Sequence, residues 1–323
     1  MEKIKITVFA DPVCTWCWGS VPVLRALEYR FGSSVEIDYV MGGMIEDIAK
    51  FSNRRLGIGG DIPLSNRNMH KAWSDASQIH GMPVCEHGFR LFSEEHRSTV
   101  PQNLAYIAAK VYAAKEPGKE LSPKKFLRRL QEATAVDAAL TGDATVIADL
   151  AAVEGFEPAR FGEIMRSREV QRLYEEDKER CRHYEIQTFP TYLLVYKGVE
   201  LMLRGFTSFD TIVQNMKHLS YGKVGGCDNA CTKPTTENVK RFIEHYGAVY
   251  PVEIATAFAM QRISGKSAIN TESYVGLPDV IDELVGAGEV LMRPRGNGFV
   301  LYAKKFYRGE PVAVEETSVG AHA

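Results

Sequence analysis

An α/β fold in two domains is what this sequence of 323 residues predicts, and three observations carry the prediction. An alternating strand, a helix and a second alternating strand open the chain; a long helical stretch then leads to a β-hairpin; and after residue 236 short helices precede a second hairpin. The opening stretch is the one around which the rest is arranged. Ile4, Ile6, Val8 and Ala10 alternate as a buried strand, and Asp11-Pro12 forbids its continuation, so a helix can start near Cys14.

Cys14 then lies at a helix start, where unpaired N–H groups and the positive end of the helix dipole favour thiolate over thiol. Cys17 follows three residues later on the same face, close enough for a disulfide. This spacing is that of a dithiol that cycles. A structural zinc needs four ligands, and the remaining cysteines lie far off at other spacings, so no metal is expected. A bracing disulfide is disfavoured because so short a loop removes little unfolded-chain entropy.

Val21 to Phe31 reads as the helix, kinked by Pro22 and ended by Gly32; Val35 to Met41 alternates as the next strand, completing a βαβ unit of a parallel sheet. Met44 to Met82 reads as irregular, broken by Gly57, Gly59, Gly60 and Pro63, with helical spacing resuming at Met69. Helices are expected over 104–114, 124–133, 143–154, 158–165 and 169–184, several announced by caps such as Ser122-Pro123. The run 186–196, a Lys197-Gly198 turn and 199–203 read as a hairpin. Pro190 cannot donate to a ladder, so it belongs at the entry of that hairpin, and the turn there suits a cis bond. Thr207 to Leu219 closes the domain as a helix.

A βαβ unit whose helix opens with the cysteine pair, a helical insertion, and a hairpin entered through Thr188-Phe189-Pro190-Thr191 resembles the DsbA-like branch of the thioredoxin superfamily. Asp11-Pro12-Val13-Cys14-Thr15-Trp16-Cys17-Trp18-Gly19, Gly42-Gly43-Met44 and 135–140 are similar to its FrnE-like subgroup. The resemblance implies a thioredoxin-like fold over residues 1–220, with the insertion at about 44–184, and a thiol-disulfide oxidoreductase without cofactor. Cys14 is then the nucleophile, Cys17 the resolving thiol, and Pro190 the cis-proline beside them. Trp16, Trp18, Thr188, Phe189 and Pro190 are expected to line a substrate groove. Thr15-Trp16 departs from the family pattern in having no histidine beside the thiolate. Glutathione-dependent isomerases and transferases share the topology, but need no resolving thiol; a redox-sensing adaptor is the non-enzymatic alternative.

Cys85 and Cys181 read as buried small hydrophobes, Cys181 with arginines on both sides that would lower its pKa. Cys227 and Cys231, in a Gly-flanked hinge at 221–235, resemble the second, late cysteine pair of some FrnE-like proteins. His70, His80 and His87 lack metal spacing and read as ordinary polar residues.

From 236 to 310, helices over 237–246, 251–261 and 273–287 and a hairpin with a Gly-Asn-Gly tip resemble a winged helix, followed by an aperiodic tail at 311–323. Its third helix carries Asp279, Asp282 and Glu283, a sign of charge that phosphate repels; only Arg293, Arg295, Lys304 and Lys305 in the wing are basic. The module is therefore expected to meet a protein rather than nucleic acid. A net charge of −2 adds no pull toward nucleic acid. No apolar run of membrane-spanning length and no secretory leader is seen, and six cysteines in so long a chain do not make a disulfide scaffold, so a cytoplasmic site of action is expected.

Overall fold

The computed structural model describes residues 2–118, 121–226 and 232–306. Strand β1 (Ile4–Ala10) pairs in parallel with β2 (Val35–Met41), Ile6 opposite Ile37, and antiparallel with β3 (Thr191–Tyr196), Ile6 opposite Leu194. β4 (Val199–Arg204) completes the sheet in the order β2-β1-β3-β4. The strand that delivers the cysteine pair is thus central, and Ile4, Val8 and Phe9 are at most 1% exposed.

Between β1 and β2 lie two helices, α1 (Thr15–Gly19) and α2 (Val21–Phe31). Pro22 does not kink a single helix; it occupies the first turn of α2, where its missing N–H costs no bond, and Ser20 marks the break. A second correction concerns Pro63. Rather than breaking the chain, it opens α3 (Ile62–His80), whose N-cap Asp61 accepts the Leu64 N–H at 2.6 Å. Gly81 ends α3 in the left-handed conformation, φ 80°. The insertion continues through α4 (Val100–Lys115), α5 (Pro123–Ala135), α6 (Ala144–Val153), α7 (Pro158–Met165) and α8 (Arg168–His183). α8 covers one sheet face, its Cys181 and the following Tyr184 and Ile186 packing on Phe9, Val40 and Leu193. α9 (Phe209–Leu219) packs on α2.

The C-terminal module runs α10 (Thr236–Tyr246), β5 (Ala248–Val249), α11 (Pro251–Ala257), α12 (Leu277–Gly286), β6 (Val290–Arg295) and β7 (Gly298–Ala303), with strand order β5-β7-β6. α12 starts four residues later than the periodicity suggested, because Pro278 fits only a first turn; Thr271–Ser273 forms a separate 3-10 turn. α11 ends at Ala257, where the chain leaves through Phe258 and the positive-φ Ala259.

The module shares one continuous apolar core with the rest of the chain. Tyr29 of α2 meets Phe242 and Phe258 edge-on, with ring centroids 5.0 and 5.7 Å apart. Glu253, with no exposed surface, accepts Arg25 of α2 at 2.7 Å, Arg128 of α5 at 3.0 Å and the Tyr250 N–H at 2.7 Å. A buried carboxylate needs such a full set of donors. Of the cations in and just after the β6–β7 hairpin, Arg295 pairs with Asp137 at 2.6 Å and Lys305 with Glu244 at 2.9 Å. No described helix is long and apolar enough to cross a membrane.

Candidate redox site

The turn at Asp11 is what sets Cys14. Asp11 is fully buried, and its carboxylate accepts the N–H groups of Val13 at 2.9 Å and Met44 at 2.6 Å, the Thr99 hydroxyl at 3.2 Å and the Asn103 amide at 3.0 Å. Its carbonyl accepts the Cys14 N–H at 3.1 Å, and Cys14 in turn accepts from Cys17 and Trp18, both at 3.0 Å, starting α1. The carboxylate therefore ties the β1–α1 turn to the Gly43-Met44 loop and to α4. Burial raises its pKa against these donors.

Cys14 and Cys17 are free thiols, 6% and 4% exposed. The Cys14 pKa is lowered, first by the hydrogen bond from the Cys17 thiol and then by the backbone N–H groups of Cys17 and Trp16, against burial and the nearby Asp11 charge. Cys17 is pushed well up, by burial first and then by the Cys14 sulfur it serves. One member is thus biased to thiolate and the other to thiol, by the partner thiol first and by the N–H groups at the start of α1 next.

The Cys14 thiol also donates to the Phe189 carbonyl at 3.5 Å, and the Phe189–Pro190 peptide is cis. Pro190 is buried, Phe189 half-buried and Thr188 exposed, its carbonyl accepting the Thr191 hydroxyl at 2.8 Å. The Phe189 ring lies so close over Gly42 that a Cβ there would stand 2.0 Å from its Cζ. Gly42 is a requirement of this close approach.

Beside Cys14 opens an apolar groove of about 580 Å³, lined by Val13, Thr15, Trp16, Met44, Leu56 and Trp73 among others. Of the residues expected to bind substrate, Trp16 lines this groove, whereas Thr188, Phe189 and Pro190 are not among its walls. Trp18 departs from expectation. It has no exposed surface: its indole N–H donates to the Pro83 carbonyl at 2.8 Å and its ring meets Tyr250 of the C-terminal module edge-on at 5.9 Å. Such a residue holds α1 in place instead of touching a substrate.

Sequence reasoning missed His80. Its ring, 3% exposed, lies on Gly19, where a Cβ would stand 2.4 Å from its Cγ, and meets Trp16 edge-on at 5.8 Å. Nδ1 accepts the Met82 N–H at 3.1 Å, so the proton sits on Nε2, which donates to the Thr15 hydroxyl oxygen at 3.3 Å. Burial pushes the His80 pKa down to about 3, so the ring is neutral. Nothing in the sequence joins residue 80 to residue 15; Gly19, needed beneath the ring, was the one local signal.

Burial pushes both other described thiols, Cys85 and Cys181, up to about 11. The expectation of a lowered Cys181 fails because burial, with the Asp177 charge, outweighs the pull of Arg180 and Arg182, which themselves face Asp177 at 3.9 Å and Glu179 at 2.6 Å. Cys227 and Cys231 lie outside the described residues. Among the described residues, no three or more His, Cys, Asp or Glu side chains cluster as metal ligands.

A central strand that feeds a helix bearing two cysteines, a helical insertion and a hairpin entered through a cis-proline together form a thioredoxin-like α/β fold. The family model described as Thioredoxin matches residues 8–214, and the chain belongs to that family. It is similar to the ClpXP adapter protein SpxH of Halalkalibacterium halodurans, 20% identical over 266 residues that cover 80% of this chain and 79% of the relative. The protein of the same name from Bacillus subtilis is 21% identical over 260 residues, with the same coverage, 80% and 79%. Among solved structures, one titled "putative protein disulfide isomerase from Nitrosomonas europaea" is similar in fold, with a TM-score of 0.56 and 18% identity over 69% of this chain and 100% of that one.

Proposed function

We propose that the protein is a thiol-disulfide oxidoreductase of the DsbA-like, FrnE-like type, with Cys14 as nucleophile and Cys17 as resolving thiol. The observation that carries this reading is where the pair stands: Cys14 caps α1 at the end of β1, its sulfur on the carbonyl that precedes the cis-proline and beside an apolar groove, with Cys17 one turn further on. In the reducing direction the Cys14 thiolate attacks one sulfur of a substrate disulfide; that bond breaks, and the leaving thiolate takes up a proton. Cys17 gives up its proton and attacks the Cys14 sulfur, which releases the second substrate thiol and leaves the Cys14–Cys17 disulfide. Two electrons have passed from the pair to the substrate, and the reverse sequence oxidises a dithiol. Trp16 and the apolar groove, with Thr188, Phe189 and Pro190 beside the sulfur, receive the substrate, a thiol or disulfide carried by a protein or a small molecule.

The helix and strand order of residues 236–303 suits a winged helix used for protein contact within the cytoplasm. Its wing tip and two of its cations are already engaged by the chain itself, which supports a protein rather than a nucleic-acid role. A second reading, an adapter that binds a protein partner without turnover, is favoured by the name of the SpxH relatives.

The test is trapping. The full chain carrying Cys17→Ser, mixed with a peptide disulfide, is expected to accumulate a mixed disulfide at Cys14, identified by peptide mass. An adduct elsewhere, or none while a partner protein still binds the Cys14→Ser variant, would favour the adapter.

A further inference from the structure

The stretch from Gln78 to Val84 touches the redox helix at two points and the C-terminal module at several. Toward α1, His80 donates to the Thr15 hydroxyl at 3.3 Å, and the Pro83 carbonyl accepts the Trp18 indole at 2.8 Å. Toward the module, Val84 exchanges hydrogen bonds with Asn297 at the wing tip: the Asn297 N–H donates to the Val84 carbonyl at 2.8 Å, and the Val84 N–H donates to Asn297 Oδ1 at 2.9 Å. The Asn297 amide also reaches Ser77 at 3.2 Å, and Arg262 donates to the carbonyls of Gln78 at 3.2 Å and Ile79 at 3.3 Å. Contact is close enough that a Cβ on Gly296 would stand 2.4 Å from the Val84 carbonyl oxygen, and one on Gly81 2.7 Å from that of Ala268. The strap is therefore clamped between two bodies and carries His80 on its inner side.

We propose that His80 is a positioning residue for the Cys14 sulfur, acting through the Thr15 hydroxyl, and that the wing tip of the C-terminal module holds His80 in that place. The inference rests on the reading of Cys14 as the attacking thiol. Its chemistry follows from proton counting. The Met82 N–H occupies Nδ1, so the only proton of the neutral ring is on Nε2 and points at the Thr15 oxygen. A hydroxyl has one proton of its own; with an oxygen lone pair engaged by His80, that proton is left for the groove that Thr15 and Cys14 line together. The same bond fixes residue 15 at the start of α1, next to Cys14, and so keeps the N–H donors of that turn on the Cys14 sulfur. The ring itself neither gives nor takes a proton in the exchange, and its place on Gly19 fixes how far α1 stands from α3.

The experiment follows alkylation rate against pH in the full reduced chain, with peptide mass assigning the modified thiol. Wild type is expected to show Cys14 as the first thiol to react; if it does not, the underlying assignment fails, whatever the variants do. His80→Phe keeps a ring and removes the donor, and Thr15→Val removes the hydroxyl. Each is expected to raise the Cys14 midpoint by about one pH unit, which slows alkylation about tenfold near neutrality. Their double variant should show no more than the larger single effect, Thr15→Ser should behave as wild type, and Asn297→Ala should give a smaller shift of the same sign. A Cys14 profile unmoved in His80→Phe and Thr15→Val, with thermal stability alone reduced, overturns the proposal. Should His80→Phe fail to fold, Thr15→Val and Asn297→Ala decide it by the same profile.

Discussion

Cys14 is buried and Cys181 half-buried, and their environments push them in opposite directions. Cys181 sits between two arginines in sequence and is driven up to about 11, while Cys14 has no basic neighbour in sequence and is brought down. The difference teaches that exposed cations nearby do not offset burial, whereas donors bonded to the sulfur do. Arg180 and Arg182 pull the Cys181 pKa down, but they face Asp177 and Glu179, and burial together with Asp177 outweighs them. At Cys14 the deciding groups are donors at hydrogen-bonding distance: the Cys17 thiol and two backbone N–H groups. Burial without directed donors makes an inert thiol; burial with them makes a reactive one.

The largest test of this contrast is functional. Cys14→Ser is expected to lower the rate of peptide-disulfide reduction by about a thousandfold or more, since the nucleophile itself is lost. Cys181→Ser should leave the rate within about twofold. A comparable loss from Cys181→Ser would break the comparison outright.

The next test asks whether a buried ionisable group tolerates losing its partners. Glu253 resembles Cys14 in burial and differs in being held by two guanidinium groups and a backbone N–H. Arg25→Ala leaves that carboxylate short of a cation, and the expected loss is about 3–5 kcal/mol of unfolding free energy, measured by urea titration at neutral pH. A loss below about 1 kcal/mol would mean that solvent reaches the cluster and that the module is only loosely docked.

The smallest effect sharpens the comparison on the side of a base. His80 is buried as a neutral ring, its pKa lowered from 6.5 to about 3. Below pH 6.5 the unfolded chain takes up a proton at this site that the folded chain refuses, so the folded state loses stability as pH falls through that window. The slope is about 1.4 kcal/mol per pH unit. Urea midpoints of wild type and His80→Phe, compared between pH 7 and 4, should therefore converge as the pH drops. Parallel curves would show that His80 charges freely within the fold.

Much of this was written in local pattern. The period-2 alternation of β1 and β2, the Asp11-Pro12 stop, the Cys14–Cys17 spacing and the hairpin turn at Lys197-Gly198 are all properties of a few consecutive residues, and each stands where the pattern put it. Local pattern misled where a residue type has two uses. Pro63 looked like an interruption and Pro278 was passed over inside a helix of 273–287, yet each stands in a first turn, where proline begins a helix. What only the tertiary structure decided is who surrounds the start of α1: His80 reaches Thr15 from 65 residues away, the Phe189 carbonyl reaches Cys14 from 175, and Trp18 turns inward to Tyr250 of a module that periodicity treated as separate. These contacts depend on how the whole chain closes around a shared core, which no window of sequence contains. The sequence by itself determined that a dithiol would sit at the end of a buried strand; packing made that strand central and decided which groups surround the pair, because the partners of a buried thiol are chosen by proximity in space and not in the chain.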